Sequence, residues 1–541
     1  MIVLRISPAI TPSMPGLDRH RRPPGDYRLA KGHQSVSSRS TDTTLVAGLI
    51  IASFLFLYFH LFVPPFTPIW TGGDEVIFLH DASRMLDGQV LYRDFAQMTF
   101  PATDALYFVA FKIFGLRMWI PNLFLVVLGV TLSYLSYFIA SRIAPGATAL
   151  LVPLLFLTLV YRNRLDATHH WFSALATLGA LAVLVDGRTY LRVAVAGALC
   201  GIAASFTQSL GFLVLLAFGL SLYWQSRRSS SPEALIKKQL LLVACFAVAL
   251  STGTLPFIHV IGWRAFIHST LIFSLRYYPT LPGANNFQGY MAGLGGFLYW
   301  RRIPDLLGFV FIHALLPLIY ILFLVRYYRV SPQRANERWD ALMLINLVGI
   351  FSLLSVASAP TWARLYYVSL PALILFVWFL NFEGPSGKTF SKLLFGYTTI
   401  LLVALPLVKQ LHRPSYLDLP TGRTAFLNRE AYDRYRWAAS QTRPSDFFFG
   451  GLFPDFYFIL KLRNPAPVAF ITPYEYTRPE EVQAVLAGLE QHQVKTVLWA
   501  SALDLSTSPQ GDHLSPLRLY IREHYHISRT FPEYEVWSRN D

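Results

Sequence analysis

Long apolar runs alternate with short polar segments from residue 44 to residue 408. Each run approaches the ~20 residues that an α-helix needs to cross the hydrocarbon core of a bilayer. The pattern predicts eleven membrane-spanning helices, at about 44–63, 118–142, 146–161, 171–186, 191–207, 209–225, 239–258, 305–325, 340–357, 365–381 and 391–408. The run at 146–161 is short and 191–225 can be taken as one broken span, so ten and twelve spans are the alternatives.

Composition supports a membrane protein and excludes a soluble globule. Of the 541 residues, 54% are hydrophobic and only 14% are charged. The two cysteines, Cys200 and Cys245, both lie within apolar runs. Neither a disulfide framework nor a zinc site is therefore indicated.

The net charge of +15 belongs to the membrane part of the chain. Residues 410–541 contain 14 Lys and Arg against 15 Asp and Glu, which leaves an excess of +16 for residues 1–409. The basic residues cluster at span ends, as the positive-inside rule predicts for cytoplasmic loops. We therefore expect no nucleic-acid partner, because the charge is explained by membrane topology.

The charge pattern predicts how the chain is oriented. Residues 1–43 form a basic tail that we expect in the cytoplasm, and the run at 44–63 is long enough to act as an uncleaved signal anchor. An odd number of spans then places the C-terminal segment outside, in a multi-pass protein of the plasma (inner) membrane. The same side receives the loops 64–117, 162–170, 259–304 and 358–364.

Residues 409–541 show the pattern of a small soluble α/β domain. Helical patterns with polar faces alternate with short runs rich in β-branched and aromatic residues. The predicted helices are 428–441, 479–492 and 514–525, and the predicted strands are Phe447–Phe449, Val468–Ile471, Val494–Trp499 and Tyr534–Trp537. The predicted fold is thus an all-α membrane bundle, residues 44–408, followed by an extracytoplasmic α/β domain.

The first external loop, residues 64–117, is rich in acids and aromatics. Its pattern predicts two short amphipathic helices, 74–86 and 104–114, lying along the membrane interface. Asp74 and Glu75 stand at the start of the first helix. Two interpretations fit this pair: the acids cap the helix, where its dipole favours negative charge, or they do chemistry at the membrane face.

The order of elements in this loop resembles the GT-C superfamily of polyprenyl-phosphate-sugar-dependent glycosyltransferases, which includes protein O-mannosyltransferases and aminoarabinose lipid A transferases. The shared order is a basic tail, one span, an external acid pair, a short helix, an LLDGQ-like turn, a YRDF segment and an aromatic second helix. The matching residues are Asp74, Glu75, Arg84, Leu86, Asp87, Gly88, Tyr92, Arg93, Asp94 and Phe95. One departure is Phe100-Pro101-Ala102-Thr103, where many relatives carry a Pro-Pro pair.

The resemblance implies a membrane enzyme that takes a sugar from a polyprenyl-phosphate carrier outside the cytoplasm. Its partners would be the lipid-linked donor, the bilayer, and an acceptor glycan, lipid or protein. It also implies a first-loop acid as the catalytic base and no obligatory cofactor, with a divalent metal left open because relatives differ in metal dependence. The motif is degenerate, so it indicates neither the sugar nor the acceptor.

Such a transfer needs a carboxylate to take the acceptor proton and cations to hold the departing phosphate. We take Asp74 as the base and Glu75 as its second. Arg93 and Asp94, from the YRDF segment, are candidate substrate-binding residues. So are Asp166, His169 and His170 in the second external loop, for which a solvated loop is the alternative; adjacent histidines rarely converge on one metal ion.

Further cations and polar groups fall on the predicted outer face. Arg301 and Arg302 follow an aromatic run, and Arg364 precedes Tyr366 at the start of the tenth span. Guanidinium groups there are suited to clamping a phosphate, although arginines at span ends also snorkel to lipid headgroups. In the resembling families a basic residue in the last external loop tends to contact the carrier phosphate, which favours Arg364. Gln208, in an external hairpin, is a candidate contact for sugar.

Two other functional classes compete with the glycosyltransferase. A lipid-linked glycan transporter or flippase would place ionisable groups in mid-membrane, whereas the acids of this chain crowd the outer loops. A non-enzymatic cell-envelope assembly scaffold would tolerate loss of the first-loop acids. A single substitution at Asp74 therefore separates the scaffold from the enzyme.

Overall fold

The computed structural model describes residues 36–540, with gaps at 145, 230–231, 282–302, 331–336, 358–360, 383 and 506–510. Two of the predicted site residues, Arg301 and Arg302, and most of the predicted tail lie outside the described residues. The described residues from 46 onward form one compact unit, and the first residues of the helix Val36–Leu61 belong to a second.

The described residues contain eight helices that are long and apolar enough to cross a membrane, which confirms a multi-pass membrane protein. They are Thr43–Leu61, Trp119–Ile143, Gly146–Asn163, Gln208–Ser226, Pro232–Ile261, Leu306–Arg329, Trp339–Val356 and Pro385–Leu411. Three shorter apolar helices, His169–Val185, Tyr190–Phe206 and Leu370–Phe382, match the remaining predicted spans. Apolar side chains such as Leu191, Leu240 and Ile400 are exposed on the outer faces of the helices, as a lipid-facing surface requires.

Close helix packing in the bundle depends on small residues. A Cβ placed on Gly197 would come 2.3 Å from the Leu242 carbonyl oxygen, and one on Gly201 would come 2.4 Å from that of Phe246. These glycines, four residues apart on one helix, let Tyr190–Phe206 lie directly against Pro232–Ile261. This is the small-residue packing expected between membrane helices.

The predicted span 365–381 differs from the observed structure, because the chain breaks there into two helices. A short helix, Trp362–Tyr367, ends at Val368, and Leu370–Phe382 starts afresh. Pro371 lies in the first turn of the new helix, where its missing N–H costs nothing, whereas one turn further along it would break the helical hydrogen bonds. The break separates the external residues Arg364 and Tyr367 from the membrane-crossing part.

Both predicted helices of the first external loop are confirmed. They span Glu75–Leu86, called here the first-loop helix, and Ala102–Phe114. The first-loop helix packs on Ala102–Phe114 and on the short helix Asp455–Ile459 of the C-terminal domain. Buried positions therefore lie on several of its faces, in contrast to the single buried stripe of a helix resting on a membrane surface.

The C-terminal domain has the predicted α/β character. Its four-stranded sheet has the spatial order Phe448–Phe449, Thr496–Ala500, Tyr534–Arg539 and Tyr525–Thr530, with the first pair parallel and the others antiparallel. Helices Arg429–Gln441, Pro479–Gln491 and Ser515–His524 correspond to the three predicted ones. An additional hairpin pairs Ser415–Leu419 with Gly422–Phe426. The predicted boundaries of the domain stay predictions.

The predicted strand Val468–Ile471 is wrong, because this segment is irregular. Pro465, Pro467 and Pro473 lie within or beside it and cannot donate to a ladder. Its carbonyl groups serve other partners: the Val468 oxygen accepts from Asn464 Nδ2 at 2.8 Å.

The first external loop and the C-terminal domain are joined by backbone hydrogen bonds. Trp70 N donates to the Ala425 oxygen at 2.8 Å, and Ala96 N donates to the Pro467 oxygen at 2.8 Å. Met118 N, at the end of the loop, donates to the Thr421 oxygen at 3.1 Å. The loop and the domain therefore occupy the same end of the helix bundle.

Candidate active site

The first-loop helix begins at the acid pair. Asp74 occupies the N-cap position, and its side chain is exposed and makes no capping hydrogen bond. Glu75, the next residue, is only 1% exposed. Side-chain capping is thus not what holds Asp74 in place, although the helix dipole still favours an anion there.

A glycine brings the first loop against the second. A Cβ placed on Gly73 would come 2.4 Å from Glu75 Oε2 and 3.0 Å from the Cβ atom of Asp166. Any side chain at this position would displace the Glu75 carboxyl group. The Gly-Gly step before the acid pair therefore allows Glu75 and Asp166 to share one small volume.

Asp166 is buried and held by a phenol. The Tyr367 hydroxyl lies 2.7 Å from each carboxylate oxygen of Asp166 and donates its proton to the group. Burial raises the pKa of Asp166 to about 7; the charge of Asp74 adds to the rise, whereas the Tyr367 hydrogen bond and Arg164 oppose it.

Glu75 is the most enclosed carboxyl group of the cluster. Its Oε1 atom accepts from Thr71 Oγ1 at 3.3 Å, and its Oε2 atom has no hydrogen-bond partner among the described residues. Burial raises the pKa of Glu75 well above its ordinary value, and the charges of Asp166 and Asp74 raise it further. Burial thus favours the protonated form of Glu75.

Arg364 and the exposed acid act on a common tyrosine. Arg364, half-buried on the helix Trp362–Tyr367, donates from Nη2 to the Tyr278 hydroxyl, and its guanidinium lies 5.3 Å from the centre of the Tyr278 ring. Burial raises the pKa of Tyr278, an effect that Arg364 opposes and Asp74 reinforces. The charges of Asp74 and Arg364 thus act on the same phenol from nearby positions.

The second external loop is fixed by two hydrogen bonds to its backbone. Trp171 Nε1 donates to the Arg164 oxygen at 2.8 Å, and the Tyr107 hydroxyl donates to the Ala167 oxygen at 2.8 Å. Tyr107 belongs to Ala102–Phe114, so the two external loops hold each other. Asp166 is positioned between these anchors.

The two predicted histidines form an aromatic stack at the edge of the cluster. The rings of His169 and His170 lie 3.9 Å apart, and His170 stacks on Tyr367 with 4.5 Å between ring centres. Within the part of the chain that the structure describes, no three His, Cys, Asp or Glu side chains are arranged to hold a metal ion. The arrangement of the donors here does not fit a metal centre.

Several predicted residues lie apart from this cluster. Arg93 and Asp94 form a 2.8 Å ion pair beyond the far end of the first-loop helix. Gln208 donates to the Met98 oxygen at 3.0 Å and to the Thr270 oxygen at 3.3 Å, so its amide joins backbone segments. Tyr366 is fully buried, and the neighbouring Tyr367 is the tyrosine that contacts Asp166.

A second pair of acids is divided between the two helices of the loop: Asp81 lies on the first-loop helix and Asp104 on Ala102–Phe114. Asp81 and Asp104 are 1% and 0% exposed, and Gln97 Nε2 donates to Asp81 Oδ2 at 2.9 Å. Neither oxygen of Asp104 has a partner among the described residues. Burial raises the pKa of Asp81 to about 7 and that of Asp104 well above its ordinary value, the latter with a further contribution from Asp81.

Three residues of the cluster were not selected from the sequence. Gly73 precedes the predicted acids and was detectable as a glycine pair at a helix start. Tyr367 stands beside the selected Tyr366, and only the observed helix decides which of the two faces Asp166. Tyr278 lies in a long loop whose sequence gives no signal for it.

No protein-family model and no curated protein matches the chain. Among solved structures, the chain is similar to ArnT from Cupriavidus metallidurans bound to undecaprenyl phosphate, with 14% identity and a TM-score of 0.53, covering 93% of this chain and 98% of that one. It is also similar to the Archaeoglobus fulgidus oligosaccharyltransferase in complex with Zn and sulfate, with 12% identity and a TM-score of 0.49, covering 84% of this chain and 68% of that one.

The likeness to ArnT is one of fold, and it extends over nearly the whole of both chains. Coverage this wide includes both the membrane bundle and the C-terminal domain. The fold that the first-loop resemblance implies is thereby confirmed.

Proposed function

We propose that this protein is a glycosyltransferase that moves a sugar from a polyprenyl-phosphate carrier to an acceptor hydroxyl on the extracytoplasmic face of the plasma membrane. The observation that carries the proposal is an exposed carboxylate, Asp74, at the start of the first-loop helix, whose charge acts on the same Tyr278 phenol that Arg364 contacts. The fold likeness to ArnT, a protein solved with undecaprenyl phosphate, supports a lipid-linked donor.

In the proposed step the acceptor oxygen attacks the anomeric carbon of the donor sugar. Its proton passes to Asp74, the new carbon–oxygen bond forms, and the bond from that carbon to the carrier phosphate breaks. The phosphate leaves with the bonding electron pair, and Arg364 stabilises the negative charge it gains. Arg164 supplies a further positive charge near Asp166.

Burial separates the roles of the three carboxyl groups. A general base must be ionised and must reach the acceptor, which suits the exposed Asp74. Glu75 lies inside the protein, where burial favours its protonated form, and Asp166 accepts a hydrogen bond from Tyr367. We therefore assign Glu75 and Asp166 to positioning Asp74 and shaping the floor of the site.

The direct test uses envelope membranes from cells that produce the protein, supplied with polyprenyl-phosphate sugars labelled in a hexose or a pentose. Label should leave the carrier lipid in membranes with the intact protein and stay on it in membranes with Asp74→Asn. The matched control is Asp433→Asn, at an exposed aspartate on the helix Arg429–Gln441. If, for every donor tested, the carrier loses label to the same extent with and without the protein, the enzyme proposal is refuted and the scaffold is favoured.

The orientation is part of the proposal and has its own test. A cysteine introduced at the exposed Ser440, in a variant with Cys200 and Cys245 replaced by serine, should react with an impermeant thiol reagent in intact cells. Reaction only after lysis would place the C-terminal domain, and the candidate site with it, in the cytoplasm.

A further inference from the structure

A second cavity lies at the other end of the first-loop helix, between that helix and the C-terminal domain. Its volume is about 390 Å³, within the range of small-molecule sites. We call it the polar pocket; its lining includes Arg84, Asp87 and Asp94 from the first loop and Phe447, Arg463 and His492 from the C-terminal domain. None of these residues belongs to the carboxylate cluster.

The walls of the polar pocket are bound to each other. Arg84 Nη1 donates to the Ala466 oxygen at 2.9 Å, and Ala96 N donates to the Pro467 oxygen at 2.8 Å. Asn464 holds its own segment in shape, donating to the Val468 oxygen and accepting from Ala466 N at 2.9 Å. A pocket built this way is preformed, so a ligand need not order it on binding.

The charges of the lining argue against an anionic ligand. Two arginines, Arg84 and Arg463, are balanced by two aspartates, Asp87 and Asp94. Arg84 is already committed, since its guanidinium donates to the Ala466 and Asp94 oxygens and to Gln89 Oε1 at 2.5 Å. Asp94 is in turn paired with Arg93, so a phosphate would meet Arg463 with the Asp87 carboxylate in the same lining, whereas a neutral ligand rich in hydroxyl groups would find donors and acceptors on opposite walls.

An aromatic pair offers an apolar surface within this polar lining. The rings of Phe447 and His492 stack 3.8 Å apart at an angle of 14°. The neighbouring strand Phe448–Phe449 is an edge strand, but Phe448 N already donates to the Arg463 oxygen at 3.0 Å. A peptide is thus not offered a free edge for strand addition, and a sugar ring, with polar rim and apolar face, matches the surface better.

We propose that the polar pocket binds sugar units of a glycan acceptor that lie beyond the reacting hydroxyl. This inference rests on the proposed glycosyltransferase function. The first-loop helix separates the two sites: Asp74 and Asp87 stand at its two ends, about 20 Å apart at 1.5 Å per residue. An acceptor that spans this helix is an oligosaccharide, and the pocket would favour extended glycans over single sugars or lipids.

Binding is tested apart from catalysis on an array of short neutral, amino and acidic oligosaccharides, with the intact protein and with Asp74→Asn in detergent. Both should bind neutral oligosaccharides, because Asp74 lies outside the pocket. His492→Ala should weaken that binding by about tenfold, which corresponds to the loss of one good contact. The control is His524→Ala, which removes an exposed histidine stacked on Tyr520 at 4.2 Å and should change nothing.

The enzyme assay gives a second readout. His492→Ala should raise KM for an extended acceptor at unchanged kcat and unchanged KM for the lipid donor, the signature of a binding residue remote from the reaction. A silent array, selective binding of acidic glycans or peptides, or equal effects of the two histidine variants would overturn the pocket proposal. If Asp74→Asn stays active while His492→Ala alone loses glycan binding, the pocket stands and the assigned base falls.

Discussion

Two groups of acids along the first-loop helix have opposite environments. At its N-terminus, Asp74 is exposed and acts with Arg364 on the Tyr278 phenol, while Glu75 beside it is buried. Two turns further on, Asp81 and Asp104, which belongs to the helix Ala102–Phe114, are both buried, and Gln97 Nε2 donates to Asp81 Oδ2. Acidic side chains thus serve two purposes in this loop: the exposed Asp74 is available for chemistry, whereas the buried Asp81 and Asp104 support the structure.

The buried pair is placed to shape the loop. Gln97 donates to Asp81 and accepts from Met98 N at 2.8 Å and from Thr99 N at 3.2 Å, which orders the chain just before Pro101. Both carboxyl groups are enclosed by protein and do not reach an acceptor hydroxyl. Of the two groups, the N-terminal one therefore contains the exposed acid, Asp74, together with a cation, Arg364, that acts on the same tyrosine.

The largest expected effect separates the two groups directly. Asp74→Asn keeps size and polarity but removes the proton acceptor, so turnover should fall by about 10²–10⁴-fold with normal insertion and folding. Asp81→Asn should leave turnover within a few-fold, because Asp81 has no part in the chemistry. The measurement is transfer of labelled sugar by purified protein; near-normal transfer by Asp74→Asn would move the base elsewhere, with Asp166 the next candidate.

The second effect concerns Arg364, the cation assigned to the departing phosphate. Arg364→Ala should slow donor turnover by about 10–100-fold, the value of a charge-assisted hydrogen bond to the departing phosphate. Arg364→Lys should recover only part of this loss, since the planar fork is absent. Arg423→Ala is the matched control, removing a guanidinium that lies 4.8 Å from the Tyr416 ring in the external hairpin. Unchanged donor kinetics in Arg364→Ala would exclude Arg364 from the site.

Hydropathy alone was sufficient for the membrane helices, because lipid imposes one length and one composition on every span. The span predicted at 118–142 is observed as Trp119–Ile143. The break before Pro371 was missed, because a proline early in a helix and a proline inside one look alike in a hydropathy window. The strand Tyr525–Thr530 was missed because five of its six residues are exposed, which leaves no alternating pattern.

The candidate site was predictable only where it is local in sequence. Adjacent acids at a helix start drew attention to Asp74 and Glu75. The contact between Tyr367 and Asp166 joins residues 201 positions apart, and a single sequence contains no record of such a pair. Burial is likewise a property of the assembled fold, so the opposite environments of Asp74 and Glu75 were not predictable.

The third prediction tests the buried pair through stability. The pKa of Asp81 is about 7 in the folded protein against 3.8 when exposed, so the folded state holds the proton more tightly. Its stabilising effect is complete below about pH 4 and is lost as the pH rises through 7. At high pH the Asp81 and Asp104 carboxylates would both be negatively charged at close range, and Asp104→Asn removes one of these two charges. It should raise the thermal midpoint in detergent by about 2–5 °C near pH 9 and leave it unchanged near pH 5.

The interpretation is contradicted if Asp104→Asn is less stable than the intact protein both near pH 5 and near pH 9. That result would mean that Asp104 is ionised and paired in the folded state. Asp433→Asn, at an exposed site, controls for the general effect of removing one negative charge.

The smallest expected effect belongs to Glu75, and it sharpens the comparison within the N-terminal group itself. Burial raises the pKa of Glu75 and favours its protonated form, so Glu75→Gln replaces that form with a neutral group of similar shape and keeps the hydrogen bond from Thr71. Turnover at neutral pH should stay within about threefold, far from the loss expected for Asp74→Asn. At alkaline pH the Glu75→Gln variant should retain more of its turnover than the intact protein does, because a buried glutamine cannot ionise beside Asp166. Equal losses in Glu75→Gln and Asp74→Asn would show instead that the two acids share one proton and act as a single base.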